Sequence, residues 1–324
     1  MPSIAAVVVT YNRVELLLEC IAGLLAQTRP LDHILLIDNA STDGTAERLQ
    51  ASGLLDHPKI EYVALPANIG GAGGFHEGLH LASEAGYDWI WLMDDDAEPE
   101  PDCLEKMAAA FAEESAVLVA PAVVNGDGQR DDPAAHRARL LPSSEATFYR
   151  FSSPLHLKHC VGRDIVPIDV CSFVGPCIKR SAIAEAGLPK KEFFIHQDDI
   201  EYSLRLGKVG RLLLVPGARI RHKKEDGPAT AEGARGLFGK RQRTPFNKLW
   251  PLYYGYRNTV WMTARGLLPT RFSRTLLLHA RVLAGTILFD DRKWDRLRFW
   301  SCAFWDGYRG RFENARPRQL APPR

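Results

Sequence analysis

Apolar residues in the first hundred positions come in short unbroken runs separated by polar turns. Ile4–Thr10 (IAAVVVT), His33–Asp38 (HILLID), Ile60–Leu65 and Trp89–Met93 have the length and β-branched character of buried strands. Between them Val14–Gln27 repeats apolar residues at helical spacing through Leu17, Ile21, Leu24 and Leu25. Thr45–Ala51 reads as a short helix, and a glycine-rich turn at Asn68–Gly74 leads into a helix from about Phe75. Further on, Val117–Val124, Val170–Ile178 (broken by Gly175-Pro176), Arg211–Val215 and Ala218–His222 read as strands. Ser181–Ala186 is a short helix, a longer one begins near Asp198, and residues 125–153 form a polar loop or lid. This alternation predicts an α/β fold, a mostly parallel sheet flanked by helices. A shift to Gly, Arg and Thr past Gly227 separates an α/β domain over 1–230 from a basic, aromatic-rich helical region over 231–324.

In open sheets of this kind, ligands sit beyond the carboxyl ends of the strands. Thr10–Arg13, Asp38–Asp43, Asn68–Gly74 and Asp94–Asp96 all fall at such ends. Three adjacent carboxylates, Asp94, Asp95 and Asp96, repel one another unless a cation stands among them. Hard cations such as Mg²⁺ or Mn²⁺ suit oxygen ligands shared with a diphosphate, so the triplet is either a metal–diphosphate site or a solvated acidic turn. The turn Asn68-Ile69-Gly70-Gly71-Ala72-Gly73-Gly74 is either a structural bend or a place where backbone approaches an anion. It is neither a GxGxxG fingerprint nor a P-loop. Asp198 and Asp199 fall in the first turn of a helix, where the macrodipole favours ionised carboxylates. Capping explains one of them; a second, facing a cleft, can take a proton from an alcohol. His222, at the end of ARIRH, is either a core histidine or a metal ligand beside Asp96.

Composition changes this picture little. The 324 residues are 46% hydrophobic and 25% charged, with 26 Gly and 21 Pro, an ordinary globular balance that excludes a disordered or disulfide-scaffold chain. The six cysteines (Cys20, Cys103, Cys160, Cys171, Cys177 and Cys302) form no CxxC pair and are expected as buried thiols of a reducing compartment. The N-terminus lacks a basic flank and a long apolar core, and no stretch offers about 18 uninterrupted apolar residues, so neither a secretory signal nor a membrane span is expected. Charge matters more. From Arg235 onward there are nineteen Lys and Arg against five Asp and Glu, although the whole chain carries only +2. Such a tail is expected either to meet something anionic or to form a solvated basic face. Clustered aromatics in LWPLYYGYRN (Leu249–Asn258) suit helices lying in a lipid headgroup layer, or helices packed on the α/β domain or on a second copy of the chain.

Taken together, these motifs resemble the inverting family 2 glycosyltransferases of GT-A fold. VVVTYNR (Val7–Arg13) is similar to their opening strand and nucleotide contact, and IDNASTDGT (Ile37–Thr45) to their second-strand motif. WLMDDDAEPEP (Trp91–Pro101) is similar to their DXD region, and HQDDIEYSLR (His196–Arg205) to their catalytic-base segment. A narrower resemblance, to the bacterial galactofuranosyltransferases of lipid-linked galactan assembly, rests on three features. These are NIGGAGGF (Asn68–Phe75), the full DDD triplet, and paired aspartates followed some two dozen residues later by a histidine. Phe75 and His76 stand where many rhamnosyltransferases carry Asn. YYGYRN (Tyr253–Asn258) resembles a segment of glycosyltransferases that act on lipid-linked sugars.

The resemblance implies a role for each position. Thr10, Tyr11, Arg13 and Asp38 would bind the uridine, with Asn68, Gly73, Asp94 and Asp95 completing the donor site. Asp94, Asp96 and His222 would hold Mn²⁺ or Mg²⁺; Asp199 would be the general base, with Asp198 beside it on the sugar. The implied reaction moves galactofuranose from UDP-galactofuranose onto a hydroxyl of a polyprenyl-diphosphate-linked glycan in cell-envelope polysaccharide synthesis. It would take place in the cytoplasm, peripherally on the inner face of the membrane. The alternatives are a dTDP-rhamnose-dependent rhamnosyltransferase and, further off, a nucleotidyltransferase, which would want a more basic loop than Thr10–Arg13 offers. Nucleic acid is not an expected partner, because the acidic strand ends repel phosphate.

Overall fold

The computed structural model describes residues 1–126, 136–223, 232–236 and 239–323. In chain order the elements are β1 (Ile4–Thr10), α1 (Val14–Leu25), β2 (His33–Asp38), α2 (Thr45–Ala51), β3 (Ile60–Ala64), α3 (Gly70–Glu84), β4 (Trp89–Asp94) and β5 (Ala97–Pro99). Then come α4 (Cys103–Ala108), β6 (Ala116–Asn125), β7 (Arg137–Leu140), β8 (Ser152–Pro154), β9 (Val166–Ile168), β10 (Val170–Cys171), β11 (Cys177–Lys179) and α5 (Arg180–Ala186). The chain continues through α6 (Asp198–Val209), β12 (Arg211–His222), β13 (Glu232–Gly236), β14 (Gly239–Arg243), α7 (Trp250–Ala264), α8 (Phe272–Phe289), α9 (Lys293–Arg309) and α10 (Arg316–Leu320). The described residues divide into two units.

The first unit covers Met1–Arg139, Ser153–Lys191 and Asp198–Lys224. Among the described residues, nine strands form one sheet in the order β3-β2-β1-β4-β11-β6-β12-β5, with β9 also paired to β12. β3, β2, β1 and β4 run parallel, as do β6 and β12, while β11 is antiparallel to both β4 and β6. The carboxyl ends of β1, β2, β4 and β12 therefore share one edge. Strand alternation explains why the sheet is buried on both sides. Ile4, Ala6 and Val8 of β1 enter one core with α1 and α4, and Ala5, Val7 and Val9 enter the other with α3 and α6. β12 is a single strand where the sequence reads two; an irregularity between Val215 and Arg219 absorbs Pro216, Gly217 and Ala218 without ending the strand. The expected strand Val170–Ile178 is instead two, β10 and β11, separated at the Gly175-Pro176 break.

The second unit takes Leu140–Ser152, Glu192–Gln197 and Glu225–Arg324, so it includes two short segments from within 1–230 as well as the C-terminal region. It is also not wholly helical, since β13 and β14 pair antiparallel. Its core is Tyr253, Tyr256 and Val260 of α7 packed with Phe299, Ala303 and Phe304 of α9. Burial of Tyr253, Tyr254, Tyr256, Arg257 and Asn258 corrects the expectation that LWPLYYGYRN supplies interfacial aromatics. The reason is local: the Tyr253 hydroxyl donates to Asp306 of α9 at 2.6 Å and the Tyr254 hydroxyl to the Asn314 carbonyl at 2.6 Å. Leu252 of this segment is exposed, and a larger group of exposed apolar residues lies on and just after α8: Leu276, Leu277, Ile287, Leu288 and Trp294. α8 has 18 residues and a mean hydropathy of 1.2, long and apolar enough to cross a membrane, although Arg274 and Arg281 interrupt it. Five of the cysteines are buried and Cys302 is half-buried, and all six are thiols.

Candidate active site

Register places the ends of three strands side by side, with Thr10 opposite Asp38 and Val9 opposite Asp94. The Thr10 hydroxyl donates to Asp95 Oδ2 at 2.8 Å, and Arg13 Nη1 reaches Asp95 Oδ1 at 3.3 Å and Asp96 Oδ2 at 3.0 Å. Asp95 thus ties the end of β1 to the end of β4. Asp38 is buried, accepting from the Tyr62 hydroxyl at 2.5 Å and from the Ser41 amide at 2.8 Å. Asn12, in the left-handed region at φ 55°, accepts from the Thr42 amide at 2.7 Å and so joins the first polar loop to the second. Tyr11 is left exposed beside them. Thr10, Tyr11, Arg13, Asp38 and the acidic triplet are therefore brought to one edge.

His222 reaches the same edge through β12. Its backbone pairs with Ala97 of β5, which sets His222 Nε2 3.4 Å from Asp96 Oδ1. That oxygen is buried and, among the described residues, accepts no hydrogen bond. His136 packs edge-on against His222 with ring centroids 4.8 Å apart, and its Nδ1 lies 2.7 Å from the Ser172 hydroxyl. The triplet is costly as it stands. Burial, then Asp96 and Asp95, push the Asp94 carboxyl up to about 8. Burial also raises Asp95 to about 6, with Arg13 and Thr10 pulling the other way. Among the described residues no group of three His, Cys, Asp or Glu side chains stands ready to hold an ion. The pair Asp96 and His222 does converge, and a hard cation commonly takes one or two protein ligands and fills its other positions with water and phosphate oxygens. An orphaned carboxylate oxygen facing an imidazole in a carboxylate-rich pocket fits such an ion.

Asp198 and Asp199 open α6. The sequence predicts that the helix N-terminus keeps both ionised, but burial outweighs it. Asp198 is driven well above the usual carboxylate range by burial, then by Asp199 and Asp94. Asp199 is pushed up to about 6 by burial, held there by the Ile200 amide and by Arg137. Neighbouring carboxyls with proton affinities pushed apart are the mark of an acid–base site. The Asp94 carboxylate adds to the rise at Asp198 through its charge. Glu201 is accounted for structurally by Arg205, at 2.9 Å to each of its oxygens.

Arg137 and His136 are absent from the sequence-based set because they follow a polar stretch read as loop or lid. Arg137 is buried, donating to the carbonyls of Pro121 at 3.0 Å and Val174 at 2.6 Å. The sequence carries no periodic signal for a lone buried arginine. The glycine turn also differs from expectation. α3 begins at Gly70, where Asn68 Oδ1 accepts from the Gly70 amide at 2.8 Å, and Gly73, Gly74 and Gly78 are buried in it. A Cβ would lie 2.6 Å from Ile69 at Gly73, 2.5 Å from Val9 at Gly74 and 2.3 Å from Val7 at Gly78. Close packing of α3 on β1 accounts for Gly74 and Gly78, and contact with Ile69 of the turn for Gly73; at Gly71 a Cβ would meet open space.

Residues 5–167 match the family described as Glycosyl transferase family 2, half of the chain. The chain belongs to glycosyltransferase family 2. It is 28% identical over 305 residues to galactofuranosyltransferase GlfT1 of Mycolicibacterium smegmatis, covering 91% of this chain and 95% of that protein. An N-acetylglucosaminyl-diphospho-decaprenol L-rhamnosyltransferase of Mycobacterium tuberculosis is 27% identical over 236 residues, covering 67% of this chain and 75% of its own. In structure the chain resembles GalNAc-T7, solved with UDP, GalNAc and Mn²⁺, with a TM-score of 0.59 and 15% identity. That likeness covers 99% of this chain and 58% of GalNAc-T7, a little over half of the larger protein, and shows the GT-A fold. In this family 2 glycosyltransferase Thr10, Tyr11, Arg13, Asp38, Asp94–Asp96 and His222 lie at one edge of the sheet, and Asp198 and Asp199 open α6.

Proposed function

We propose that this glycosyltransferase moves galactofuranose from UDP-galactofuranose onto a hydroxyl of a polyprenyl-diphosphate-linked glycan, with inversion. The observation that carries the mechanism is Asp199, a half-buried carboxyl at the start of α6 that desolvation pushes up to about 6. The galactofuranosyl part rests on the likeness to GlfT1 over nearly the whole of both chains.

Asp199, ionised at neutral pH, accepts the proton of the acceptor hydroxyl as its oxygen attacks the anomeric carbon. Asp198 beside it, whose burial favours the protonated form, donates a hydrogen bond to a sugar oxygen. Arg137 keeps the neighbouring carboxylate from reprotonating. Thr10, Asp38 and exposed Tyr11 receive the uridine, and Arg13 swings from Asp95 and Asp96 toward the diphosphate. Asp96 and His222 would hold Mn²⁺ or Mg²⁺, which supplies charge neutralisation for the departing diphosphate. Inversion follows from one displacement with the nucleophile opposite the leaving group.

A lipid-linked acceptor calls for a route to the bilayer. Leu276, Leu277, Ile287, Leu288 and Trp294 are exposed, with Arg271, Arg281, Arg292, Lys293 and Arg298 also exposed nearby in sequence. Apolar side chains fringed by cations suit an anionic lipid surface. Rhamnosyl transfer is the second reading, favoured by the decaprenol-linked rhamnosyltransferase at 27% identity. Incubation of the protein with Mn²⁺ and a panel of sugar nucleotides, followed by assay of released nucleoside diphosphate, decides between them. Release from UDP-galactofuranose alone supports the first; release from dTDP-rhamnose alone overturns it.

A further inference from the structure

Two buried residues of α7 have no part in the mechanism above. Arg257 and Asn258 are both 0% exposed, and both point their donors at one short segment, Glu192–Gln197. Asn258 Nδ2 donates to the carbonyls of Phe193 at 3.1 Å, Ile195 at 3.2 Å and His196 at 2.8 Å. Arg257 Nη2 donates to the carbonyls of Glu192 at 3.2 Å and Phe193 at 3.0 Å. Its Nε holds Asn258 Oδ1 at 3.0 Å, which fixes which end of the amide faces the carbonyls, and its Nη1 holds Asn314 at 3.0 Å. Rings of Tyr254 and Phe312 cover the guanidinium at 5.1 and 4.9 Å. Burial lowers the guanidinium to about 10, so it stays charged at neutral pH.

The segment that these donors grip is strained. Phe194, His196 and Gln197 are all left-handed, at φ 68°, 66° and 70°. Non-glycine residues rarely adopt that conformation, and three within four positions persist only where the surroundings over-determine them. Left alone, such a segment relaxes and turns its carbonyls out to water. Arg257 and Asn258 supply five bonds to inward-facing carbonyls that no helix or strand would otherwise satisfy. The grip is itself rigid, because α9 abuts α7 at this point: a Cβ on Gly307 would lie 2.4 Å from the Arg257 carbonyl. Directly after Gln197 the chain enters α6, with Asp198 and Asp199 as its first two residues.

We infer that Arg257 and Asn258 are positioning residues for the catalytic base, holding Phe193–Gln197 in its strained left-handed course so that α6 starts with Asp199 aimed at the acceptor hydroxyl. This rests on the reading of Asp199 as the base, and it gives YYGYRN a role inside the protein. Placement errors of about an ångström cost on the order of a hundredfold in rate. Asn258→Ala is therefore expected to lower kcat about a hundredfold. It should leave the affinity for UDP with Mn²⁺, by calorimetry, within about twofold, because the donor residues lie on other elements. Hydrogen exchange at 193–200 should rise while exchange in β1 and β4 stays as in the wild type. Arg257→Lys keeps the charge but loses the fork, and is expected to act in the same direction; it carries the test should Asn258→Ala not fold. Asn258→Ala with wild-type kcat and wild-type exchange at 193–200 overturns the inference. So does a variant whose activity falls only in proportion to its folded fraction. Asp199→Asn, assayed in parallel, separates the two claims: if it retains wild-type kcat, the base reading fails, whatever Asn258→Ala does.

Discussion

Asp198 and Asp199 differ by one position, yet the proposed mechanism gives them different work. Burial raises both, and the folded state holds their protons more tightly than the unfolded chain, where a carboxyl sits near 3.8. Linkage then fixes the sign: stability is fullest below about pH 4 and falls as pH rises through the folded-state values. Asp198→Asn removes this cost and is expected to raise Tm at pH 7.5 by roughly 2–4 °C, with little change at pH 4 and a sharp loss of transfer. A lowered Tm at pH 7.5 would contradict the burial argument. His222 makes a separate prediction. His222→Ala should weaken Mn²⁺ binding in the presence of UDP at least about tenfold by titration, and unchanged affinity would remove it from the metal site.

At the scale of elements, the strands were legible because a buried parallel strand must be a short apolar run. β1, β2 and α2 keep the expected boundaries, and β4 ends one residue later, at Asp94. Asp96 and His222 were legible as chemistry, while their closeness depended on the β5–β12 pairing, which no local pattern encodes. Arg137 and His136 were not legible, since long-range packing alone buries them. The glycines of α3 were visible but ambiguous, because a ligand cradle and a close helix–strand contact ask for the same residue. Space now separates the two cases. Gly78→Ala, whose Cβ would meet Val7 at 2.3 Å, should cost about 1–3 kcal/mol in chemical denaturation. Gly71→Ala, with nothing within 4 Å, should be neutral or stabilising by about 0.5–1 kcal/mol. Equal losses at both positions would show that α3 does not pack on β1 as described. YYGYRN illustrates the converse: aromatic clustering suggested an interface, and hydrogen bonds to Asp306 and Asn314 made it core instead.

On the scale of the whole molecule, the charge split separates an acidic sheet edge from a basic C-terminal region, and the GT-A fold explains the first half of that split. For the second half we propose a lipid surface met by the exposed side chains of α8. Leu277→Ser with Leu288→Ser is expected to abolish flotation with phosphatidylglycerol vesicles, and neutral phosphatidylcholine should bind the wild type weakly. Unchanged flotation of the double variant would exclude α8, and a dimer that dissociates on the same substitutions would assign the face to a second copy of the chain. All of these proposed roles serve one reaction at one carboxylate. The measurement that tests it most directly is nucleoside diphosphate release against pH, with Mn²⁺ and UDP-galactofuranose, for the wild type and Asp199→Asn. The account predicts a wild-type rate that climbs through about pH 6 to a plateau, and a variant slower by roughly 10²–10⁴-fold that still binds UDP and shows no such rise. A variant that turns over at the wild-type rate with the same pH profile would contradict it.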